Sequence, residues 1–81
     1  MENQHQKITG YRDLSQEEID AMNEGKALAE QCGALIAKLR AAKASEGAPP
    51  VYDQRWVSIG ATHLQEGFMA VIRGIAQPTT F

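Results

Sequence analysis

The chain has 81 residues, of which 43% are hydrophobic but only 6% aromatic, so a single small domain with little material for a private core is expected. Its one cysteine, Cys32, excludes an internal disulfide framework, and no apolar run approaches the roughly 18 residues of a spanning helix. The net charge of −2 argues against general binding to a nucleic-acid backbone, so an anionic ligand must meet local cations.

The chain opens on MENQHQKITG, which is polar and lacks the apolar run of a signal peptide; this predicts an intracellular protein. Residues 1–14 read as an arm outside the helices. Within it, K-I-T-G-Y-R-D-L-S sets the ring of Tyr11 beside the guanidinium of Arg12, a pair able to stack on a base and hold a phosphate. The plainer role for Tyr11 is to staple the arm to the rest of the chain.

Helix one is expected over 15–44. S-Q-E-E puts Glu18 at the third helical position, where it completes a capping box with the Ser15 hydroxyl. Glu17, Glu18 and Asp20 sit at the positive end of the helix dipole and Lys38, Arg40 and Lys43 at the negative end, so the charges need no functional explanation. Ile19, Met22, Cys32, Leu35, Ile36 and Leu39 recur at helical spacings and predict one buried stripe. Lys26 is a single cation beside Gly25, where the backbone is accessible; taken alone it reads as a solvated side chain. S-E-G-A-P-P then ends the helix, and a turn is expected over 45–52.

Helix two is expected over 53–77, with Asp53 as its cap and Gln77-Pro78 as its stop, and 78–81 as a tail. Trp56, Ile59, His63, Leu64, Phe68, Val71 and Ile75 mark its apolar face. Gly60, Gly67 and Gly74 stand seven apart within it. Each costs about 0.5–1 kcal/mol relative to Ala, and the return is close backbone approach along one side. One partner helix cannot cover Trp56, Phe68, Met69 and Ile72 together, because they spread around the cylinder. A second chain is the economical cover, and a monomeric hairpin with a loose seam is the alternative. The fold class is therefore all-α: an N-terminal arm plus two long antiparallel helices forming a hairpin, assembled into a homo-oligomer.

Catalysis finds little support. His5, His63 and Cys32 are the only imidazole or thiol groups and none lies at a metal-ligand spacing. Cys32 reads as a small core residue and His63 as a satisfied interface histidine on the packed side of helix two. Glu17 and Glu18 are adjacent and point apart on a helix, so they cannot share a substrate. No catalytic residue, metal or cofactor is expected.

The arm HQKITGYRDLSQEEI, the NEGKAL segment and the run DQRWVSIGATHLQEGFMAVIRGIAQP together resemble the small phage proteins that counter CBASS, a bacterial defence using cyclic oligonucleotide signals. The resemblance covers nearly the whole chain apart from 44–52. The C-terminal run also resembles the related phage sponges against Thoeris defence; the arm favours the anti-CBASS group. Membership implies a non-catalytic sponge that sequesters the signal, assembled as a hexamer in the cytoplasm of the infected bacterium, with no DNA, RNA or membrane partner. It implies cyclic dinucleotides bound between protomers by Tyr11 and Lys26, and a separate site for cyclic trinucleotides, for which Arg55 is the candidate. Arg12 joins the dinucleotide set from its chemistry only. The alternative is a helical interaction module without a small ligand.

Reach bears on the shared pocket. Lys26 lies roughly 16 Å up helix one from the Ser15 cap. Four extended residues from that cap carry Tyr11 only about 13–14 Å. One chain can barely bring the two together, whereas two chains can.

Overall fold

The computed structural model describes residues 13–80, which form two α-helices, α1 (Gln16–Ala41) and α2 (Gln54–Ala76), folded back on each other as a hairpin. Among the described residues there is no strand, only an isolated antiparallel bridge between Lys43 and Pro50. The expectations for the arm, Tyr11 and Arg12 included, fall outside the described residues.

Both helix starts follow from local chemistry. The Ser15 hydroxyl accepts a hydrogen bond from the Glu18 N–H at 3.1 Å, and the Glu18 carboxylate accepts one from the Ser15 N–H at 2.8 Å. These close the capping box and satisfy two of the donors that a helix start leaves without partners. Asp53 caps α2 by accepting from the N–H groups of Arg55 and Trp56. At the far end Gln77 adopts the left-handed conformation, its N–H donating to the Arg73 carbonyl at 2.8 Å, and Pro78 prevents continuation. Ser15→Ala is expected to lower stability by about 1 kcal/mol, read by chemical denaturation at fixed protein concentration.

Helix α1 stops at Ala41, three residues before the expected end at Ala44. Ala42 turns extended so that its carbonyl accepts from the Val51 N–H at 3.0 Å, a bond across the connection that continued helix would forbid. Gly47 makes the reversal with φ at +80°, a conformation that side chains resist. Gln54 ties the tip: its amide donates to the Leu39 carbonyl at 3.2 Å and the Tyr52 carbonyl at 3.0 Å.

The helices meet along one seam. Met22, Gly25, Ala29, Cys32, Ile36 and Leu39 alternate at spacings of three and four and are half-buried. Gln54, Val57, Ala61, Phe68, Ile72 and Ile75, at steps of three, four and seven, form the matching stripe on α2, and Ala61 is the buried residue among them. Such alternation keeps a narrow stripe facing one neighbour. The packing is tight at Gly25, where an added Cβ would stand 3.1 Å from Cδ1 of Ile72.

Two expectations about the apolar faces need correction. Ile19 and Leu35 do not belong to the buried stripe: they are 39% and 52% exposed. His63 does not pack within the chain, since its side chain is 74% exposed and lies 3.3 Å from the Glu66 carboxylate. Trp56, Met69 and Val71 are likewise exposed. The physical reason is that two helices offer one mutual contact line and no third layer. The radius of gyration, 17.6 Å, against the roughly 12 Å of a compact chain of this length, expresses the same geometry.

Candidate functional site

An open groove of about 1100 Å³ runs along one side of the hairpin, beside the seam. Its floor is apolar, with Met22, Ile36, Phe68 and Ile72 among the contributors, and Lys26, Arg40 and Arg73 stand on its walls. Among the described residues, no carboxylate side chain lines it. Lys26 reaches this wall because it follows Gly25, the seam residue, by one position; a rotation of about 100° carries it from the contact line to the flank. It is exposed, as an ammonium in water should be.

Arg55 lies elsewhere. It sits in the first turn of α2, with its guanidinium carbon 5.3 Å from the Trp56 ring centroid. A cation in this turn works against the helix dipole by about 0.3–1 kcal/mol, and no acidic residue shares the turn. The contact with the Trp56 ring, worth about 0.5–1 kcal/mol at an exposed site, offsets that cost. The contact of Gln54 with the Leu39 carbonyl puts Arg55 level with the end of α1. Leu39 is about 20 Å along the helix from Lys26. The structure thus separates Lys26 and Arg55 toward different parts of the hairpin and does not bring them together.

Gly60, Gly67 and Gly74 do not face α1: a Cβ on any of them would meet nothing within 4 Å. Seven residues drift only about 20° around a helix, so the three form one outward row. Exposed Trp56 and Val71 lie beside that row on the same helix. Cys32 is a half-buried free thiol in the seam. Among the described residues, no group of three His, Cys, Asp or Glu could hold a metal ion.

A family profile described as the Acb2/Tad1 hairpin domain matches residues 3–76, spanning both helices and most of the arm. The chain belongs to this family. Among its relatives, "Anti-CBASS protein 2" of Pseudomonas phage JBD67 is 39% identical over 105 residues, covering 96% of this chain and 97% of the relative. Those 105 positions exceed the 81 residues of this chain. The phage relative therefore carries additional residues inside the matched span. In this Acb2/Tad1 member both Lys26 and Arg55 lie within the span matched by the family profile, as does the glycine row.

Sequence reasoning picked out Lys26 as a lone cation and missed Arg73 and Arg40. Neither arginine carries a local motif. They join Lys26 only through the way α2 pairs with α1, which no spacing within a single helix reveals.

Proposed function

We propose that the chain is a non-catalytic sponge that binds and sequesters cyclic oligonucleotide second messengers and so blocks CBASS immunity in the cytoplasm of the infected host. The ligands are cyclic dinucleotides, cyclic GMP–AMP among them, and cyclic trinucleotides at a second site. The observation that supports this reading best is Lys26 on an apolar groove that no carboxylate lines among the described residues, in a chain aligned almost end to end with an anti-CBASS protein. Such a groove offers what a small anionic ring with flat bases needs: local positive potential beside apolar surface.

In this reading Tyr11 stacks on a base, Lys26 and Arg12 hold phosphate, and Arg55 serves the trinucleotide. Protomers assemble through the row of Gly60, Gly67 and Gly74 into a closed oligomer, taken as a hexamer, so that the arm of one chain reaches the groove of the next. The exposed Trp56 and Val71 beside the row favour a second copy as the cover. No helix among the described residues is long and apolar enough to cross a membrane, and the sponge has no DNA, RNA or membrane partner in this reading.

Calorimetric titration against a panel of cyclic di- and trinucleotides tests the proposal. Heat with at least one member is expected, and intact ligand should be recovered after the complex is heated. A panel without heat would leave an interaction module as the better reading, and hydrolysed ligand would mark an enzyme. Arg55→Ala is expected to weaken trinucleotide binding by about ten- to a hundredfold while sparing dinucleotides, because loss of a charge-assisted hydrogen bond is worth roughly 1.5–3 kcal/mol. Equal trinucleotide affinity in that variant would remove Arg55 from the site.

A further inference from the structure

The groove sorts charge. The chain carries 10 Asp and Glu against 8 Lys and Arg, yet among the described residues the groove is lined by Lys26, Arg40 and Arg73 and by no carboxylate side chain. The pairing of the helices arranges these cations further. Gly25 and Ile72 stand at one level, because a Cβ on the first would lie 3.1 Å from Cδ1 of the second. Lys26 and Arg73 each follow one member of that pair. In antiparallel helices one step on each moves in opposite directions, so the two residues are offset by only about 3 Å along the hairpin axis. Both line the same groove, one from each helix. Arg40 lies about 21 Å along α1 from Lys26, too far to share a phosphate with it.

We infer that Arg73 is a further phosphate-binding residue of the cyclic dinucleotide site, facing the ligand from the α2 wall of the groove as Lys26 does from the α1 wall. This rests on the reading that cyclic dinucleotides are the ligand. A ring of two nucleotides carries two phosphates, and cations on opposite walls let each phosphate meet a donor while the bases lie over the apolar floor. The two side chains also differ usefully. A guanidinium grips phosphate through two parallel N–H groups and fixes its orientation, whereas an ammonium acts as a point charge that follows it. One Arg73 N–H donates to the Thr80 carbonyl at 3.0 Å, a contact that steadies the side chain at the groove wall.

Calorimetry of the full chain with cyclic GMP–AMP and cyclic di-GMP as probes decides the matter. Arg73→Gln is expected to weaken binding of at least one of them by about ten- to a hundredfold. Arg73→Lys, which keeps the charge without the fork, should fall between Arg73→Gln and wild type. Added salt should weaken wild-type binding more than that of Arg73→Gln, since one screened attraction is already gone. Cyclic trinucleotide binding should persist in both variants. Wild-type affinity in Arg73→Gln would overturn the role of Arg73 while leaving dinucleotides as the ligand. Loss of both ligand classes in both variants would overturn it as well, marking a structural residue. A wild-type chain that binds neither dinucleotide would remove the ligand reading and this inference with it.

Discussion

Gly67→Leu is expected to dissociate the proposed assembly into smaller species while leaving each hairpin as helical as before. The two effects separate because of where the row points. Within one chain, a Cβ at Gly67 meets nothing within 4 Å among the described residues, so a leucine side chain there starts into open space. It should even favour the helix, since Gly is about 0.8–1 kcal/mol worse than Ala in a helix interior and Leu is close to Ala. Across an interface the same side chain fills the gap that lets two backbones approach, and overpacking of that kind costs about 1–3 kcal/mol at each contact. A closed symmetric oligomer repeats the contact in every copy, so the penalty recurs around the ring. Light scattering read beside circular dichroism checks both halves. Unchanged molar mass would show that the row faces solvent and would leave the exposed Trp56 and Val71 without their proposed cover.

Tyr11→Ala and Lys26→Ala should each weaken cyclic dinucleotide binding by roughly one to two decades and leave the oligomer intact. Removing a stacking ring costs about 1–3 kcal/mol per base. Removing a cation from a ring phosphate costs a similar amount, because the desolvated anion is left without its partner. For Lys26 the structure supplies a reason to expect a local effect: the side chain is exposed on the groove wall and no seam contact depends on it. The double variant should lose roughly the product of the two single losses if ring and cation act on separate parts of the ligand. Trinucleotide binding provides the internal control, since Arg55 lies near the end of α1 marked by Leu39, about 20 Å along the helix from Lys26. Calorimetry of the four proteins with both ligand classes reads all of this. Dinucleotide affinity equal to wild type in both single variants would remove Tyr11 and Lys26 from the site, whatever the family.

Much of the fold is legible in the residues themselves. Capping is a contact between neighbours, so S-Q-E-E and Asp53 announce the starts of α1 and α2 without knowledge of anything distant. Gln77-Pro78 announces the stop of α2 for the same reason, through a missing N–H and a ring that clashes with further helix. Two long helices on either side of a proline-bearing turn leave a hairpin as the simplest arrangement. The end of α1 was less legible. Nothing near Ala42 breaks a helix, and the chain leaves it there to reach the N–H of Val51 across the turn.

What only the tertiary structure decided is which side of each helix meets the other. Apolar residues at spacings of three and four are compatible with several overlapping stripes, and Ile19 and Leu35 fit one that stays more exposed than the seam. Gly25 was unremarkable as a gap until Ile72 came to lie against it. The same pairing sets Arg73 level with Lys26 on one groove and sends Gly60, Gly67 and Gly74 away from the seam. The physical reason is that helix starts and stops are fixed by bonds within a few residues, whereas the rotation and register of one helix against another are fixed by side chains far apart in the chain, which meet only once it has folded.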